Sequence, residues 1–173
     1  MEKNAFVSLY EKDPFVQTIA QNILKDKSGN HQIKGLSGSL DSLLFSVLFK
    51  SLAGSHLIVA HDKEEAAYIN NDLQELLGEG TIFFFPSSYK RPYQYDEVEN
   101  ANVLQRAEIL NKLLAREVQN PIIITYAEAL YERVINKRSL TENTFKAAVG
   151  EKVDLAFISE LLSTYDFEKT DFG

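Results

Sequence analysis

The sequence predicts an α/β fold built on a parallel sheet with helices on both faces. Three observations carry this expectation: the short, nearly continuous apolar runs at 57–60, 81–85 and 122–125, the amphipathic stretches alternating with them, and the Gly, Pro and Asn punctuation between them. Four or five apolar residues in succession suit a strand covered on both sides. Strand–helix alternation then makes neighbouring strands parallel, joined by crossovers.

The elements follow in order. Asp13-Pro14 with Val16, Ile19, Ala20, Ile23 and Leu24 predicts a capped amphipathic helix, proline standing at its first position. Lys27-Ser28-Gly29-Asn30 ends it. A weak strand is expected over 31–36, then a Gly/Ser loop. The next helix buries Leu40, Leu43, Leu44, Val47, Leu48 and Leu52 and closes at Gly54. After the strand at 57–60, Asp62 caps a helix with Glu65 three residues on, and Ala66, Ile69, Leu73, Leu76 and Leu77 keep helical spacing up to Gly78. The strand at 81–85 stops at Pro86, and a polar, aromatic loop is expected from Ser87 to about Asn100. Val103, Ala107, Leu110 and Leu114 mark another helix. Asn120-Pro121 leads into a fourth strand at 122–125, followed by a helix over 128–135. Beyond Asn136-Lys137-Arg138 the rhythm changes: a strand of a different sheet is expected over 144–149, a turn at Gly150-Glu151 and a short helix over 155–162. The expected domains are therefore 1–138, an α/β domain, and 139–173, the start of a small α+β module.

With 173 residues, the chain is long enough for one α/β domain and an appendage, and too short for two full domains. A net charge of −7 argues against a generic phosphate-backbone binder, whose affinity comes from clustered Lys and Arg. The absence of cysteine removes disulfides, thiolate nucleophiles and zinc–thiolate sites together. Met1 to Tyr10 has no basic segment followed by an apolar run, and no apolar stretch is long enough to span a bilayer. The expectation is a cytoplasmic chain with no membrane partner.

Chemistry concentrates in two segments. Gly35, Ser37, Gly38, Ser39, Asp41 and Ser42 lie where a phosphate-binding loop would lie, ahead of an apolar helix. In the working pattern G-x-x-x-x-G-K-[ST], the second glycine admits the phosphates, the lysine reaches the β/γ-phosphates and the hydroxyl holds magnesium. Here Leu40 replaces that glycine and Asp41 the lysine. A unit charge about 4 Å from a phosphate charge is worth about 4 kcal/mol at an effective dielectric of about 20, and the substitution reverses its sign. A residue of about 2 to 3 kcal/mol costs on the order of 30- to 100-fold in affinity. The loop reads as degenerate, with no cofactor expected; an ordinary Gly/Ser turn without nucleotide ancestry is the plainer alternative. A small P-loop ATPase or kinase, with Lys34 or Lys50 supplying the missing charge, is the enzymatic alternative.

The second segment is Tyr89, Lys90, Arg91, Tyr93 and Tyr95, where two cations and three aromatics follow a strand's carboxyl end. Such positions often carry ligand contacts, and aromatics among cations stack bases, so these are candidate partner or nucleic-acid contacts. Asp96, Glu97 and Glu99 offset their charge. A serine hydrolase is excluded because no histidine follows His61. His31, His56 and His61 are too dispersed for a metal site, and no catalytic residue is expected.

Taken in order, these segments resemble the N-terminal region of the bacterial transcription-repair coupling factor family, itself similar to the damage-recognition helicase UvrB. The resemblance rests on the ruined loop Gly35-Leu36-Ser37-Gly38-Ser39, Asp72-Leu73, Phe85-Pro86, Pro92-Tyr93, Arg106 with Leu110 and Leu113, Ala129-Leu130, and Gly150-Glu151 with Leu161, Leu162 and Tyr165. It departs at Thr164-Tyr165, where the family usually shows Gly-Tyr. The resemblance implies a degenerate P-loop NTPase of RecA-like fold, followed by the start of a UvrA-binding-type module whose contact residues lie beyond Gly173. It also implies a parent protein that releases stalled RNA polymerase by ATP-driven DNA translocation through distant domains and recruits excision repair through UvrA. This region would be its non-catalytic scaffold, and an autoinhibitory contact for the parent's other domains. UvrB keeps a Walker lysine and a long aromatic DNA-gripping hairpin; Asp41 and the short segment 87–100 imply that both functions are lost here.

Overall fold

The computed structural model describes residues 3–91, 94–142 and 149–164, and the chain divides into two compact units, Met1–Lys137 and Arg138–Gly173. The first unit begins with α1 (Lys3–Glu11), which has no acid in its first turn and no base in its last, yet buries Val7. At α2 (Pro14–Lys25) the Asp13 carboxylate accepts the N–H groups of Phe15 at 2.8 Å and Val16 at 3.2 Å, satisfying donors that have no partner within the helix.

The strand expected over 31–36 does not form. Only Ile33 of this stretch packs inward, against the cluster of Ala20, Leu44 and Leu48, and Gly35 turns the chain at φ 87°. A single inward residue offers a sheet no face to bury. α3 (Leu40–Ser51) follows, with Leu43, Leu44, Val47 and Leu48 buried.

β1 (His56–Ala60) leads to α4 (Lys63–Leu77). Its start is doubly capped: Asp62 accepts the Glu65 N–H at 2.8 Å, and Glu65 accepts the His61 N–H at 2.6 Å. The backbone bond to Glu65 is the main cause that holds the Asp62 carboxyl below its usual range. Gly78 ends the helix, its N–H reaching Gln74 O at 2.9 Å. β2 (Ile82–Phe84) comes next. The segment expected to be a loop instead forms an antiparallel hairpin of β3 (Tyr89–Arg91) and β4 (Gln94–Val98), pairing Tyr89 with Val98 and Arg91 with Gln94. Alternating aromatic and polar residues over 93–96 suit a strand, and the hairpin's own backbone bonds remove the need for a third.

α5 (Asn100–Ala115), β5 (Ile122–Tyr126) and α6 (Ala127–Tyr131) complete this unit. The helix expected over 128–135 stops at Tyr131, because Glu132 takes an extended conformation (φ −69°, ψ 130°) that turns it toward the end of β2. The three parallel strands lie in the order β1-β5-β2.

One face of the sheet, carrying Ala60, Ile82, Ile122 and Ile124, packs on Ala66, Ile69 and Leu73 of α4. On the other face α5 approaches β2, with Lys112 Nζ 5.7 Å from the centre of the Phe83 ring. At β1, however, Leu57 is 57% and Val59 49% exposed. The expectation that this strand is covered on both sides fails there, because β1 is an edge and the helix over that face serves the opposite half. The fold is thus a mixed α/β arrangement with a small parallel sheet flanked by helices.

In the second unit, α7 (Lys137–Glu142) opens at the division and α8 (Leu155–Thr164) follows, Asp154 accepting the Ala156 N–H at 2.9 Å. The strand expected over 144–149 lies outside the described residues except for Val149, as do Tyr165 and the remainder to Gly173. Pro92 and Tyr93, between β3 and β4 in sequence, also lie outside them.

Candidate functional site

The Gly/Ser segment expected to be a degenerate phosphate loop is exposed from Lys34 to Ser39, with Gly35 and Gly38 at φ 87° and 60°. These left-handed conformations are the ones glycine adopts freely. At the start of α3, Ser39 makes no side-chain cap; instead the Asp41 carboxylate accepts the Ser42 N–H at 2.7 Å. A carboxylate therefore already engages one of the backbone donors that an anion would use at a helix start. The Ser42 hydroxyl is buried without a hydrogen-bond partner. Lys50 is held by Glu11 at 2.7 Å, and Lys34 is exposed.

A denser polar cluster sits at the carboxyl end of β2, in the turn Pro86-Ser87-Ser88. Arg106, 5% exposed, reaches in from α5: Nη1 donates to Pro86 O at 2.6 Å and Ala129 O at 3.2 Å, Nε lies 3.3 Å from Glu132 Oε1, and the guanidinium sits 4.2 Å from the Phe85 ring centre. Burial is the leading influence on Arg106 and lowers its affinity for the proton, with the Glu132 charge opposing that shift. Glu132 in turn accepts from the Ser87 hydroxyl at 3.2 Å, the Ser88 N–H at 2.8 Å and the Ser88 hydroxyl. The Ser87 N–H donates to the Tyr126 hydroxyl at 2.9 Å, and burial raises the Tyr126 phenol above its usual range. Asn102 donates to Ser87 O at 2.8 Å, and the Glu99 N–H to Ser88 O at 2.7 Å.

This cluster fixes both roots of the hairpin. Of the candidate contact residues, Tyr89 is part-buried at the hairpin's first position, its N–H donating to Ser87 Oγ at 3.2 Å. Lys90, Arg91 and Tyr95 fall on its two strands, and Tyr93 lies outside the described residues. The phosphate-loop residues and the hairpin residues come from separate segments and form no joint site among the described residues. Sequence reasoning placed Arg106 only as part of a helix motif and missed Glu132, Ser87, Ser88, Tyr126 and Asn102. Nothing local marks them, since Ser88 and Glu132 are 44 positions apart.

Among the described residues, no group of three or more His, Asp or Glu side chains is placed to hold a metal ion. No helix among them is long and apolar enough to cross a membrane.

No protein-family model matches the chain, and no solved structure does. Two curated proteins do. UvrABC system protein B of Methanosarcina acetivorans is 23% identical over 159 residues, covering 86% of this chain and 24% of its own. UvrABC system protein B of Methanococcus maripaludis is 23% identical over 167 residues, covering 90% and 25%. The chain spans about a quarter of the length of these relatives, and it is similar to UvrB over most of its own.

Proposed function

We propose that the chain is the UvrB-homology region of a transcription-repair coupling factor, acting as a non-catalytic scaffold in DNA repair. Its parent would be an ATP-dependent DNA translocase that releases stalled RNA polymerase and recruits excision repair through UvrA. The similarity to UvrB over 86% of the chain supports the repair context. The observation that carries the non-catalytic reading is Asp41, an acid at the lysine position that also bonds the backbone donor of Ser42.

Titration with Mg-ATP tests the loop. No saturable binding in the micromolar range is expected, and binding there would overturn the reading in favour of a small ATPase or kinase. Capture of UvrA tests the family: a version extended through the complete small module should hold it, and the present chain should not. Equal, tight capture by both would misplace the contacts, and capture by neither would overturn the family reading.

A second reading, direct contact of the hairpin with DNA, is favoured by the anchoring of both hairpin roots at the end of β2. Salt-dependent DNA binding lost in Arg91→Glu would support it; no binding at low salt would dismiss it.

A further inference from the structure

β2 is an edge strand, and a groove of about 360 Å³ runs along its free side between α4 and α5. In a parallel ladder, successive residues turn their N–H and C=O groups to alternate sides. Thr81 O accepts the Ile122 N–H and the Phe85 N–H donates to Ile124 O, so the odd-numbered residues face β5. Ile82 and Phe84 therefore aim their backbone groups into the groove. Of these, Phe84 O accepts from Gln105 Nε2 at 2.9 Å, and the Ile82 N–H makes a turn bond to Glu79 O at 3.3 Å. Among the described residues the Ile82 carbonyl and the Phe84 N–H remain, spaced to pair with a single residue of an added parallel strand.

The walls match that occupant. Asn70 of α4 lines the groove, and its Oδ1 is buried without a hydrogen-bond partner. Gln74 faces the same space. The groove's one acid and one base, Glu108 and Lys112, neutralise each other at 2.6 Å, so its charge complements an uncharged segment. Gln105, an amide on Phe84 O, already does for one carbonyl what a strand would do for the whole edge.

We propose that this groove binds a short, uncharged, extended peptide segment of a partner protein, which adds a fourth strand to the sheet beside β2. The site is separate from the degenerate phosphate loop and stands whether or not the UvrB-based reading holds.

The test uses the full chain, labelled for nuclear magnetic resonance, and an acetylated, amidated pentapeptide of alternating threonine and valine. Saturable movement of the Phe84 amide signal is expected. The binding should weaken at least tenfold when the peptide's backbone nitrogens are methylated. It should weaken as much in Ala67→Arg, which fills the groove from an exposed helix position and keeps the thermal midpoint. An unmoved Phe84 signal, equal binding of the methylated peptide, or pairing of β2 with a second copy of the chain instead of the peptide would each overturn the proposal.

Discussion

Replacing Arg106 by methionine isolates what the buried cluster contributes to stability. The change removes the donor to Pro86 O and Ala129 O and leaves the Glu132 carboxylate without its cation. Breaking a buried pair by removing one partner costs about 3 to 5 kcal/mol. Glu132 keeps its bonds from Ser87 and Ser88, which places the expected cost at the lower end, about 3 kcal/mol. That is a large share of the roughly 5 to 15 kcal/mol by which a domain is stable. With a urea slope of about 1.5 kcal/mol per molar, the unfolding midpoint should fall by about 2 M at unchanged slope. In Arg106→Met with Glu132→Gln, the unpaired charge is gone while the side-chain carbonyl oxygen can still accept from Ser87 and Ser88. Part of the loss should return, because no unpaired charge is left buried, while the Pro86 and Ala129 carbonyls stay without their donor. Hydrogen exchange at the Ser88 and Glu99 amides should quicken in the single variant as the hairpin roots loosen. A midpoint shift below about 0.5 M, or a double variant no more stable than the single, would refute the coupling.

Two further outcomes are expected. Gly78→Ala should cost about 1 to 3 kcal/mol in thermal or urea unfolding. The cause is purely the backbone at φ 89°, ψ 166°, since an added Cβ meets no atom within 4 Å, and a loss under about 0.5 kcal/mol would contradict it. For Asp62 the folded carboxyl titrates below its ordinary value of 3.8, so its contribution is fully present above that pH and fades as pH falls through the folded value. The stability advantage over Asp62→Ala should therefore shrink below pH 3.8, and an advantage that grows on acidification would reverse the sign.

Elements whose signals are local were legible in the sequence. α4 was announced by Asp62, Glu65 and Gly78, and α2 by Asp13-Pro14, because caps act within one turn. α1 was not, since nothing at its ends marks it and its Val7 is buried only by tertiary packing. The run at 57–60 announced a strand but not an edge: uninterrupted apolar residues carry no period from which to read which face is covered. The hairpin was hidden because its segment holds none of the glycine-containing turn pairs that mark tight hairpins. In the site, the acid at position 41 was visible at once, whereas the bonds from Ser87 and Ser88 to Glu132 join distant positions that only the folded sheet brings together.

The strand order has a bearing on how the molecule is made. β5 is the shared neighbour of β1 and β2, yet it is the last of the three to leave the ribosome. Until residues 122–126 emerge, the two earlier strands have no common partner, and every contact of the parallel sheet spans dozens of residues, the kind of long loop closure that slows folding. A nascent chain halted before Pro121 would hold the β3–β4 hairpin but not the parallel sheet, leaving its apolar strands exposed until residues 122–126 emerge.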